Sequence, residues 1–180
     1  MSINKFTGKF EITGDDLKGL KNLSKVLQEY KKHYVKVGVL GGNYADGTPI
    51  AQVAAMHEFG TEATKTFEYK GESITIHGLP TRSFLRVPLK THKSQLKGKG
   101  YLGKENFLRV MLKEMQHGYT GVALEFLGIN AINIVRGAFS TSGYGQWLEN
   151  QNKKYIALKG SSKPLIDTGY LESATKHEVI

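Results

Sequence analysis

The stretch from Gly121 to Phe139 constrains this chain more than any other. Val122, Leu124, Phe126, Leu127, Ile129, Ile132, Ile134 and Val135 dominate it at helical spacing. Glu125, Asn130, Asn133 and Arg136 gather on one narrow stripe, which leaves three sides apolar. A helix of that kind has to be covered by several neighbours or by another subunit. Glu125, Asn130 and Asn133 also interrupt the longest apolar run, so no membrane span is predicted.

The remaining elements follow from periodicity and punctuation. Asp15 and Asp16 after Gly14 suit a helix N-terminus. Leu17, Leu20, Leu23, Val26, Leu27 and Tyr30 then fill about half of a helical circumference at ~100° per residue. Val35, Val37 and Val39 alternate as in a half-buried strand, ended by Gly41-Gly42. Pro49 suits a first helical position, and the helix Ile50 to Phe59 stops at Gly60. Phe67-Glu68-Tyr69 and Ile74-Thr75-Ile76 flank Lys70-Gly71-Glu72, which predicts a hairpin over about 64–78. Gly78-Leu79-Pro80 predicts an extended segment, with a helix beginning near Ser83. The glycines and lysines of 97–103 predict a flexible basic linker, and Lys104 to His117 a helix closed by Gly118. A short helix and a strand from Thr175 to Ile180 finish the pattern. The expected fold is one α+β domain over 1–180, a small antiparallel sheet with a hairpin insertion packed on several helices.

Composition narrows the chemistry. There is no cysteine, which removes disulfides, thiolate nucleophiles and Cys-ligated metals and suits a reducing cytoplasm. The N-terminal segment has no apolar core of a signal peptide, so none is predicted. Net charge is +9, and it is uneven. Residues 1–85 hold 11 Lys/Arg and 9 Asp/Glu, whereas residues 86–180 hold 14 and 7. Within the second half, the lysine-bearing stretches Arg86 to Lys104 and Asn150 to Ile166 lack acids entirely. Arg86, Lys90, Lys93, Lys97, Lys99 and Lys104 are therefore candidate nucleic-acid-facing residues, able to follow a phosphate backbone by counterion release. Only Tyr101 is interleaved among them, and no helix-turn-helix, RNA-recognition or KH signature accompanies them. A solvated basic face explains the run as well.

Catalytic and metal patterns fail on inspection. Leu165-Ile166-Asp167-Thr168-Gly169 has the form of an aspartic-peptidase turn, but such enzymes need a second carboxylate and further lobe strands. Its plainer role is a turn and helix cap. His57-Glu58 begins the zinc pattern H-E-x-x-H, yet position 61 is threonine. His33, His77, His92, His117 and His177 show no ligand spacing. No catalytic residue, metal site or cofactor is expected.

Three segments, in order, resemble the phage neck and tail-completion family of minor tail components. The first is strand Val35 to Val39 followed by Ala51-Gln52-Val53-Ala54-Ala55-Met56-His57-Glu58-Phe59-Gly60-Thr61. The second is Leu79-Pro80-Thr81-Arg82-Ser83-Phe84-Leu85-Arg86. The third is Ser161-Ser162-Lys163-Pro164-Leu165-Ile166-Asp167-Thr168-Gly169-Tyr170-Leu171. The resemblance implies a structural virion protein and not an enzyme. It implies a homo-oligomeric ring at the head–tail junction or tail end, assembled in the host cytoplasm and bound to neck, connector or tail-tube proteins.

In such a protein the motif residues have structural roles. Gly60 would end a helix in the left-handed conformation, and Pro80 would set an extended entry. Asp167, Thr168 and Gly169 would turn and cap. Phe59, Phe84 and Leu171 are expected core anchors. The connection from Gly60 to Pro80 is longer than the family's usual one, and 90–120 carries no family motif. The alternative function is non-specific DNA binding through Arg86 to Lys104, which a neck ring around the genome's path would also accommodate.

Overall fold

The computed structural model describes residues 14–165 and 169–180. It is an α+β fold with seven α-helices and four strands among the described residues. The elements are α1 (Gly14–Lys32), β1 (Val35–Val39), α2 (Ile50–Phe59), β2 (Thr61–Tyr69), β3 (Glu72–Leu79), α3 (Arg86–Thr91), α4 (Gly100–His117), α5 (Val122–Ser140), α6 (Lys153–Lys159), α7 (Tyr170–Ser173) and β4 (Thr175–Val179). A 3-10 turn, Lys93–Lys97, joins α3 to α4.

The helix that constrained the sequence is the structural axis. α5 packs on both strands of the β1–β4 ribbon and on α3, α4 and the 3-10 turn. Its buried positions include Leu124, Ala131, Ile132, Val135, Ala138 and Phe139. By length and hydropathy α5 would qualify to cross a bilayer. In this fold its buried positions are covered by neighbouring elements. Small residues let those neighbours approach. Gly128 lies directly under the His177 ring of β4, where a Cβ would overlap it. His177 Nε2 in turn meets Glu125 Oε2 at 2.8 Å, so the ribbon is tied back to the helix it covers.

The strands form two separate antiparallel pairs. β1 pairs with β4, Val35 opposite Val179 and Val39 opposite Thr175. β2 pairs with β3 through the two-residue turn Lys70-Gly71, both at positive φ (51° and 76°). That is the backbone twist a tight hairpin requires, and glycine tolerates it better than lysine. The hairpin starts immediately after Gly60, earlier than expected, and α6 lies against it. Asn152 Nδ2 donates to the Thr75 carbonyl at 3.0 Å, Lys154 pairs with Glu72 at 2.9 Å, and the Tyr155 ring contacts Phe67 and Tyr69.

Two expectations need correction here. The segment 97–103 is not an open linker: α4 already begins at Gly100, and the backbones of Gly98 and Gly103 touch. A Cβ on Gly98 would stand 2.6 Å from the Gly103 Cα. The glycines serve a close approach. On α1, Val26 is buried as expected, but Leu20 and Leu27 of the same apolar stripe are exposed.

Candidate functional site

The main core gathers Ile50 and Ala54 of α2, Phe84, the α5 residues Val135, Ala138 and Phe139, Trp147, and Leu171 of α7. Phe84 is fully buried, its ring 5.0 Å from Phe139. Burying such a side chain contributes about 2–3 kcal/mol relative to leaving it in water. Leu165 packs on the same cluster, and Pro164 beside it is buried. Each of the three family-like segments therefore supplies residues to one place.

The first two segments are joined by a clasp built from polar atoms. α2 buries Ile50, Ala54 and Glu58, the i, i+4, i+8 stripe of one helix face. Glu58 is 5% exposed, and its carboxylate accepts four hydrogen bonds from the start of the α3 segment. The Ser83 hydroxyl donates at 2.6 Å, and the N–H groups of Phe84, Leu85 and Arg86 donate at 2.9, 3.0 and 3.0 Å. The orphan donors at a helix start are thus satisfied by a carboxylate from another helix. Arg86 Nε adds a longer ion pair at 3.8 Å. Alongside, the Arg82 N–H donates to the His57 carbonyl at 2.7 Å and the Thr81 hydroxyl to the Phe59 carbonyl at 3.1 Å. Trp147 Nε1 closes the group on the Ser83 carbonyl at 3.3 Å.

Gly60 belongs to this clasp, with a conformation that differs from the expectation. Its φ is 77° but its ψ is 173°, an extended positive-φ geometry and not the left-handed helical one. A Cβ there would stand 2.9 Å from Thr81 Oγ1 and 3.0 Å from the Leu79 carbonyl oxygen. Pro80 is exposed directly after β3. Gly169 does adopt the left-handed conformation (φ 75°, ψ 0°) ahead of α7. Asp167 and Thr168 lie outside the described residues. Of the three expected anchors, Phe84 and Leu171 are buried, whereas Phe59 is 67% exposed. Phe59 follows Glu58 on the helix, so the turn that buries the carboxylate points the ring outward, where the Arg86 guanidinium lies over it at 6.0 Å.

No family model, curated protein or solved structure matches this chain.

Electrostatics single out two neighbours in the clasp. Burial, with Arg82 and then Lys159 nearby, pushes the His57 imidazole down to about 4, so it is neutral at pH 7. Its Nδ1 is buried without a hydrogen-bond partner, as is Nε of Arg82. Burial also works against the Arg82 charge. The guanidinium is 5% exposed and donates from Nη2 to the Leu148 carbonyl at 3.3 Å. In the sequence His57 is marked only by the incomplete zinc pattern, and Arg82 only by its place in a family-like segment.

A second carboxylate, which no sequence pattern marks, is buried like that of Glu58. Glu114, on the last turns of α4, accepts from the N–H of Val122 at 2.8 Å and from the hydroxyls of Thr120 and Tyr30. It caps α5 and fastens α1 to it. Burial opposes its charge, but those donors and the Ala123 amide outweigh it and hold the carboxyl below its usual value. Tyr30 is pushed up by burial and by that carboxylate.

The candidate basic residues are all exposed. Among the described residues, only Arg86 of the six is ion-paired, with Glu58. The Gly98–Gly103 contact draws together the chain positions of Lys97, Lys99 and Lys104, while Lys90 and Lys93 lie on α3 and the 3-10 turn. Among the described residues, no group of three His, Asp or Glu side chains is placed to hold a metal. Two open clefts lie along α1 beside Tyr119 and between Gly41-Gly42 and Tyr170.

Proposed function

We propose that this chain is a structural protein of a tailed-phage virion, forming an oligomeric ring at the neck or tail end and acting in head–tail joining or tail completion. The observation that carries the reading is convergence. The three separated segments that resemble the family supply Ala54 and Glu58, Arg82 through Phe84, and Leu165 and Leu171 to one core and one clasp.

Unfinished burial supports the same reading. Leu20 and Leu27 on α1, Leu108 and Leu112 on α4 and Ile129 on α5 are exposed, as subunit faces are before assembly. No catalytic role is assigned to any residue, and the mechanism is binding: subunit contacts close a ring, and exposed loops or the β2–β3 hairpin meet the adjoining ring. Deleting the gene from the phage genome tests this. Filled heads and separate tails, or tails of abnormal length, are the expected products, and normal infectious particles would end the reading.

The lysines gathered by the Gly98–Gly103 contact favour a second reading, non-specific contact with DNA. A salt-titrated binding assay on duplex DNA tests it. Affinity that falls steeply with salt is expected, and no binding near physiological salt would remove it.

A further inference from the structure

Arg82 is a buried cation without a counter-charge. Among the described residues no carboxylate pairs with it, and its guanidinium makes one long hydrogen bond, to the Leu148 carbonyl. Of the titratable groups near it, His57 is neutral and Tyr155 is an uncharged phenol at neutral pH, so neither supplies a negative charge. Burying an unpaired charge costs several kcal/mol in a single chain, so the isolated subunit holds this group at a loss. Its surroundings resemble half of an interface. Arg82 is tied through its backbone N–H to His57, two positions before Phe59, and through Nη2 to Leu148. The Leu148 side chain is 69% exposed. A desolvated arginine beside an exposed apolar side chain is the composition of an interface centre.

We propose that Arg82, beside Leu148, is the socket for a carboxylate of a second copy of this chain, and forms one contact of the ring. Charge complementarity selects that occupant. The chain exposes Glu62 and Glu68 on β2 and Glu149 beside Leu148, and among the described residues none of these is ion-paired. Each subunit thus carries both an unpaired buried cation and free surface carboxylates. The proposal rests on the ring reading above, and it names where the copies meet.

Sedimentation velocity over micromolar to submillimolar concentrations tests it, on the full chain and on Arg82→Met and Leu148→Ser. The wild type is expected to self-associate, and Arg82→Met to weaken association tenfold or more. Its thermal midpoint at dilute concentration should equal or exceed that of the wild type, because a buried unpaired charge has been removed. Leu148→Ser, an exposed change that leaves the core intact, should also weaken association. Undiminished association in both variants, a lower dilute midpoint for Arg82→Met, or a wild-type monomer throughout would overturn the proposal. A monomer whose midpoint is raised by inorganic phosphate only when Arg82 is present would overturn it as well, by placing a free anion in the socket. A monomer leaves the virion reading standing, since rings of this kind can assemble on a preceding component, and the gene deletion tests that separately.

Discussion

The carboxylate of Glu58 accepts the backbone N–H of Phe84 at 2.9 Å, although 26 residues and a whole hairpin separate the two. The β2–β3 hairpin therefore leaves and re-enters the body at a fixed point, and its base is held shut by the Glu58 carboxylate.

Replacing Glu58 should accordingly cost more than losing an ordinary surface carboxylate. Glu58→Ala strands the Phe84, Leu85 and Arg86 N–H groups, and a loss of about 3 kcal/mol or more is expected. Glu58→Gln keeps one acceptor oxygen and should lose less. Urea denaturation of both variants checks the order; equal midpoints for Glu58→Ala and wild type would remove the clasp.

The two phenylalanines of the motif region should separate cleanly. Phe84→Ala empties the centre of the core and should cost about 3–5 kcal/mol. Phe59→Ala, at an exposed position, should change the stability of the dilute monomer by about 0.5 kcal/mol or less. Chemical denaturation of the pair checks it, and comparable losses would contradict the placement of Phe59.

His57 makes stability pH-dependent. Its folded value, about 4, lies below the 6.5 or so of an unfolded chain, so acid favours unfolding. The contribution is fully present above pH 6.5 and is lost as pH falls toward 4, amounting to about 2–3 kcal/mol over that interval. His57→Asn should flatten the thermal midpoint between pH 6.5 and 4. An unchanged profile would show that the imidazole is not held neutral.

Glu114 acts in a more acidic window. Its folded value is depressed, so its contribution is present above the ordinary glutamate value and is lost as pH falls below about 4.5. Glu114→Gln should be less stable at neutral pH and should lack that part of the acid transition. Circular dichroism melts from pH 5 to 2.5 would resolve it.

The elements that were legible in the sequence are those written in local pattern. The α5 stripe, the valine alternation of β1 and the Lys70-Gly71 turn each depend on neighbours within a few residues. What was hidden depends on distant partners. Glu58 and Glu114 both sit in the last turns of their helices, where the helix dipole disfavours an acid. That misplacement was the available signal, and it marks side chains serving another helix. Phe59 has the hydrophobicity of a core residue, but the Ile50, Ala54, Glu58 face is the one α2 buries, and it turns the ring outward. Gly98, Gly100 and Gly103 have the composition of a linker, and only the touching backbones of Gly98 and Gly103 reveal a packed corner. Arg82 looked like any arginine, since a missing counter-charge has no local trace.

The β1–β4 pairing sets an order of events during synthesis. β1 leaves the ribosome long before β4, yet each strand's hydrogen-bonding partner is the other. Until β4 emerges, β1 is an unpaired edge and the side of α5 carrying Gly128 lacks part of its cover. The domain therefore cannot mature vectorially from its first helix onward. Its final closure is a late, long-range step with a large loop-closure cost, and a growing chain would be most vulnerable to sticking, or to a chaperone, just before Thr175 appears.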